Sequence, residues 1–160
     1  MLVRRSTSTL LIVGCVSTDG SERPKGVSGI EIARRLPLAV AWTAAARMDV
    51  NCDGRKDEVF VGQDATRYYV AAVLAPVTSQ SEATYVVFLS SGESQDSFCG
   101  APEALEEESL DVDIVEILGD EPEGWQRSST CKGLGLVAGE CDRVHLYWNR
   151  VAERLSWWRR

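Results

Sequence analysis

The sequence predicts an α+β domain: one helix packed on an antiparallel sheet, with a three-stranded meander at the C-terminal end. Three observations lead there. Apolar residues recur at helical spacing after Pro37, three β-branched and aromatic runs are separated by short polar turns, and polar and apolar side chains alternate from Arg143 to Trp148. At 160 residues, 44% hydrophobic and 26% charged, the chain can bury the core of one domain without a metal or disulfides supplying the bulk of its stability.

In PLAVAWTAAARM, Leu38, Trp42, Ala45 and Met48 share one helical face, Pro37 suits a first turn, and the alanines favour helix. Residues 38–44 also read as a buried strand. Residues 57–62, 67–74 and 84–90 read as strands, separated by Gln63-Asp64-Ala65-Thr66 and by residues 77–82, and such short connections imply antiparallel hairpins. A second set, 134–137, 143–148 and 154–158, forms the meander. Val144, Leu146 and Trp148 alternate with Arg143, His145 and Tyr147, which assigns the first three to the core and the second three to a partly wet face.

Between the two sets lies an acidic segment. Residues 103–123 contain ten acids and no base, which leaves 14 acids against 17 bases in the remainder. Leu110, Val112 and Ile114 alternate with Asp111 and Asp113, the pattern of an acidic-faced edge strand. Such a segment is either a solvated face that protects an edge from aggregation or a docking patch for a basic partner. The overall charge of −7 argues against nucleic-acid binding, which begins with a positive face.

The first residues read as an export signal. Arg4 and Arg5 form a basic start, residues 10–13 an apolar stretch, and Gly14 a small residue before Cys15. Ile12-Val13-Gly14-Cys15 resembles the lipobox of bacterial lipoproteins, which implies acylation of Cys15, a signal segment over 1–14 and attachment to a membrane by the lipid anchor alone. No run is long enough to span a bilayer. Residues 15–29 are rich in Ser, Gly, Pro and charge and read as a flexible tether to a single globular domain over 30–160. With Cys15 set aside, Cys52, Cys99, Cys131 and Cys141 form an even set, as expected of a disulfide-bonded protein outside the cytosol. An extended strand over 134–137 holds Cys131 and Cys141 apart, so the expected pairing joins Cys99 to one of them. Cys131, Cys141 and His145 lack the close CxxC spacing of zinc sites.

One motif has a mechanism. Residues 49–57 fit D-x-N-x-D-G-x-x-D, in which Asp49, Asn51, Asp53, the Arg55 carbonyl and Asp57 offer oxygens to one Ca²⁺ while Gly54 permits the turn. The pattern resembles the calcium loops of FG-GAP and VCBS repeats and of dockerins. It differs from a full EF-hand, with Phe60 where the closing Glu would stand. The alternative is an ion-independent Asx turn leading into a strand.

Enzyme motifs find little support. The segment Ser90-Ser91-Gly92-Glu93-Ser94 makes no nucleophile elbow, and Gly133-Leu134-Gly135 no dinucleotide loop. Clustered Tyr147, Trp148, Trp157 and Trp158 read as core, or alternatively as a sugar-stacking platform. The expected function is that of a lipid-anchored, disulfide-stabilised protein of the bacterial cell envelope that binds an envelope protein or polymer, with calcium bracing one loop. The alternatives are inhibition of a basic cell-wall hydrolase through residues 103–123, and an envelope hydrolase using His145.

Overall fold

The structure is a computed structural model, described here for residues 27–92, 94–100, 102–140 and 142–160. Its elements are α1 (Gly29–Ala33), β1 (Thr43–Met48), β2 (Asp57–Gln63), β3 (Arg67–Val73), β4 (Ala83–Leu89), β5 (Pro102–Leu110), α2 (Ile114–Leu118), β6 (Ser128–Ala138), β7 (Val144–Asn149) and β8 (Arg154–Trp158). They form two four-stranded antiparallel sheets, each in sequence order, β1-β2-β3-β4 and β5-β6-β7-β8.

The main core lies between the sheets. Val59, Val70, Ala72, Val86 and Phe88 of the first sheet pack in one cluster with Leu134, Leu136, Val144, Leu146 and Leu155 of the second. The opposite face of the first sheet is also buried, beneath Ile32 and Ala33 of α1 and the adjoining Trp42. That explains the unbroken apolar run Tyr69-Val70-Ala71-Ala72-Val73: alternate side chains of β3 enter different cores, and no position is left for a polar residue. Over the outer face of the second sheet, Leu110, Ile114 and Trp125 cover Tyr147 and Trp158.

The antiparallel, β-rich character stands, but the expected arrangement of one helix on a sheet with a three-stranded meander does not. The meander is part of a four-stranded sheet, because β5 pairs with β6 along its length. The expected helix after Pro37 is replaced by coil and then β1, with a register shift between Ala44 and Ala46. Pairing with β2 outweighs the alanine preference, since a short helix has little stability without an apolar face to bury. Here Met48 belongs to the inter-sheet core and Trp42 to the outer one.

The helix near this end is instead α1, started by Ser28, whose backbone N–H and hydroxyl both donate to the Glu31 carboxylate. Gly29, placed by its sequence in the tether, is buried. Leu110 and Ile114 are not in one extended strand either. β5 ends at Leu110, and Asp113 caps α2 by accepting a hydrogen bond from Glu116 N–H at 3.2 Å. Tyr147, expected on a wet face, is only 5% exposed, because Trp125 packs edge-on against its ring.

The β2–β3 turn gives one acid-sensitive feature. Asp64 accepts hydrogen bonds from Tyr69 Oη (2.6 Å) and from the N–H groups of Thr66 and Arg67 (both 2.8 Å). The Tyr69 hydroxyl, followed by the Thr66 N–H, holds the Asp64 carboxyl at about 2. An unfolded Asp titrates near 4, so this contribution is complete above about pH 4 and is lost as the pH falls toward about 2. Asp64→Asn is expected to flatten the stability profile over that interval, measured as the urea midpoint against pH. An unchanged acid limb would count against the assignment.

Candidate functional site

The aspartate loop joins β1 to β2. Cys52 and Gly54 take left-handed backbone angles, with φ of 64° and 86°, and these curl the chain into consecutive tight turns. Asp49 accepts from Asp53 N–H (3.0 Å) and Gly54 N–H (2.8 Å). Asn51 Oδ1 shares the Asp53 N–H at 3.1 Å, and Asp53 Oδ1 accepts from Arg55 N–H at 2.8 Å. These contacts form a ladder of Asx turns.

Asp57 stands apart from the other members of the motif because it is fully buried. Its two oxygens accept from Val50 N–H (2.9 Å) and Ala75 N–H (2.8 Å), which joins the loop to the chain leaving β3. Burial raises the Asp57 pKa and the negative charge of Asp53 acts in the same direction, while the N–H bonds oppose them. Among the described residues no three His, Cys, Asp or Glu side chains form a ready-made metal cluster. Asp49, Asn51 and Asp53 commit oxygens to the loop's own N–H groups and Asp57 commits both of its oxygens to Val50 and Ala75, so the structure does not gather the three aspartates round one point.

A disulfide joins Cys52, within this loop, to Cys131 on β6, with Cα atoms 5.6 Å apart. Cys131 is thereby taken, so of the two partners expected for Cys99 it is not the one. Cys52 belongs to the even set read from the sequence, but its pairing with Cys131 was not expected, because it depends on the packing that brings this loop against β6. Cys99 is disulfide-bonded as well. Cys141 and the acylation residue Cys15, with the whole lipobox, lie outside the described residues.

The outer face of the second sheet brings together groups far apart in sequence. Glu106 aligns with Gly135, and Gly135 with His145, so one row crosses β5, β6 and β7. Gly135 leaves the middle of the row without a side chain. A Cβ there would come within 2.8 Å of Glu108 Oε2 and 2.7 Å of Arg143 Cδ. Across this gap, His145 Nδ1 lies 2.9 Å from both Glu108 oxygens, and Arg143 bonds Glu106 at 2.7 Å. The imidazole stacks on Trp158, with centroids 3.8 Å apart and planes at 11°.

A carboxylate at Nδ1 fixes the ring and favours a proton on that nitrogen, which leaves Nε2 as the acceptor. Among the described residues, four clefts of about 300, 310, 330 and 380 Å³ are lined by residues other than His145. The pair is a packed, hydrogen-bonded part of the sheet face.

Acids dominate the neighbouring edge. Nine of the ten acids in residues 103–123 are exposed, and Glu108 is the half-buried exception. Among the described residues, basic side chains reach only Asp111, Glu106 and Glu108, through Arg127, Arg143 and His145. Glu103, Glu107, Glu116, Asp120, Glu121 and Glu123 have no ion-pair partner among the described residues. Comparison with known proteins gave no match to a protein-family model, a curated protein or a solved structure.

Proposed function

We propose that this chain is a lipid-anchored binding module of the bacterial envelope whose acidic face docks a basic protein, with a cationic cell-wall hydrolase as the partner class to test first. The observation behind the reading is the run of exposed acids on β5 and around α2, most of them without an ion-pair partner among the described residues. A patch of one sign raises association rates toward a partner of the opposite sign and excludes like-charged ones. The anchor at Cys15 places that face outside the cytosol, where the disulfide at Cys52 and Cys131 is also expected to persist. In the same reading the aspartate loop holds Ca²⁺, through Asp49, Asn51, Asp53, the Arg55 carbonyl and Asp57. The ion would neutralise carboxylates crowded into one turn.

The test uses a lysozyme-type cationic hydrolase as probe, with binding measured by surface plasmon resonance and inhibition by cell-wall turnover. Wild-type protein is expected to bind and inhibit at low salt, and to weaken steeply as salt screens the face. The triple variant Glu103→Lys, Glu107→Lys, Glu116→Lys is expected to lose at least about 100-fold in affinity with little change in melting temperature, since all three side chains are exposed. Affinity insensitive to both salt and charge reversal would overturn the reading. The Glu108–His145 pair sustains the hydrolase alternative, which requires wall-degrading activity lost in His145→Ala.

A further inference from the structure

The open edges of β4 and β8 lie side by side without joining into one sheet. Between them runs a groove of about 330 Å³, lined by Tyr85, Glu123, Tyr147, Asn149, Arg154 and Ser156 among others. From its position, size and polar lining we infer that this groove binds a neutral saccharide unit, with Tyr85 as the stacking face and the Asn149 amide as a hydrogen-bond donor.

Asn149 supplies the first part of the argument. It is only 5% exposed, and its Oδ1 is taken by the N–H groups of Val151 (3.0 Å) and Ala152 (2.8 Å). Its Nδ2 has no acceptor among the described residues. Its oxygen is committed to the turn, and its nitrogen is not sealed from solvent, so the amide of this groove-lining residue stays open to an outside acceptor.

The rim is fixed in the same way. Tyr147 Oη donates to the Glu123 carbonyl at 3.0 Å, and Arg150 N–H donates to the Gly124 carbonyl at 3.1 Å, so the turn bearing Glu123 is tied to the end of β7. A Cβ on Gly124 would overlap Asn149 Oδ1, which requires glycine at that contact.

The floor adds backbone groups. Leu155 N–H donates to Thr84 Oγ1 at 3.2 Å, and is therefore turned away from β7. Strand alternation turns the N–H and C=O of Trp157 the same way. On the other bank, Leu89 N–H and C=O bond Asp96 and Phe98 instead of β3, so those of Val87 and Tyr85 also face outward.

The groove thus combines donors and acceptors with one acid and one base, Glu123 and Arg154, and an aromatic ring 37% exposed in Tyr85. Vicinal hydroxyls, each both donor and acceptor, match that mixture, and the aliphatic face of a pyranose suits the tyrosine ring. A groove near the lower end of small-ligand pockets fits one or two rings and no long polymer segment at once.

The test is calorimetric titration of the folded protein with N,N′-diacetylchitobiose and with cellobiose, and with sorbitol as an acyclic control. At least one disaccharide is expected to bind with Kd of about 1 mM or tighter, without salt dependence, and sorbitol is expected not to bind. Tyr85→Ala and Asn149→Asp, the latter keeping the turn acceptor while removing the donor, are each expected to weaken binding about tenfold or more. If Asn149→Asp fails to fold, Tyr85→Ala alone decides, because that ring is exposed. No heat from either disaccharide at about 10 mM, or binding unchanged in Tyr85→Ala, would overturn the inference. The neutral probes make this result independent of the acidic face: the triple charge variant should bind sugar as the wild type does.

Discussion

The double variant Cys52→Ser, Cys131→Ser is expected to lose about 4 kcal/mol of unfolding free energy relative to the oxidised protein. The bond spans 79 residues, and closing a loop of that length removes considerable entropy from the unfolded chain. For a chain of this size the loss corresponds to a melting temperature lower by about 10 °C. Both cysteines are replaced together so that no lone thiol remains to exchange with the disulfide at Cys99. Thermal melts of wild type and variant give the value, and non-reducing peptide mapping should recover Cys52 bonded to Cys131. A loss below about 1 kcal/mol would mean that the folded state is strained by the bond or that the reduced chain retains structure there.

The same bond shows where the sequence was legible. Strands β2, β3 and β4 emerged almost to the residue, because each is a β-branched or aromatic run ended by turn residues such as Asp64 and Ser81. These are local signals. β1 was masked by its alanines, since Leu38, Trp42, Ala45 and Met48 satisfy helical spacing while in fact Trp42 and Met48 serve different cores. β5 was masked by its glutamates, and an edge strand needs few apolar residues to be held by one neighbour. α1 was hidden in a polar stretch, and only Ser28 and Glu31 mark its start.

For the candidate site, the turn chemistry of Asp49, Asn51 and Asp53 could be read from spacing, and the burial of Asp57 could not. Nor could the pairing of Glu108 with His145. It depends on the register of three strands and on the missing side chain of Gly135, so two residues 37 apart meet across a strand between them. The one available hint was a glycine inside an apolar strand, which commonly marks a close approach.

Asp57 and Asp53 should separate the structural role of the loop from its role toward a cation. Asp57→Ala is expected to cost about 3 kcal/mol in EDTA, because the N–H groups of Val50 and Ala75 each lose their acceptor and a buried donor left unpaired costs about 1–3 kcal/mol. Asp57→Asn should cost less, since one oxygen survives, but its amide nitrogen must then face an N–H. Asp53 is exposed and accepts only the Arg55 N–H, so Asp53→Ala should cost under about 1 kcal/mol in EDTA.

Calcium reverses the contrast. If the loop binds Ca²⁺, wild-type protein at 100 times the dissociation constant gains about 2.7 kcal/mol. Mg²⁺ should give less, because it keeps its waters and demands a tight octahedron. Asp53→Ala should lose that increment, whereas Arg55→Ala should retain it, as only the Arg55 backbone oxygen takes part. Denaturant melts of the five proteins in EDTA and in millimolar Ca²⁺ measure both effects. A wild-type midpoint unmoved by Ca²⁺ would remove the ion and leave the loop as a turn anchored by Asp57. An Asp57→Ala variant as stable as wild type in EDTA would instead remove the anchoring role.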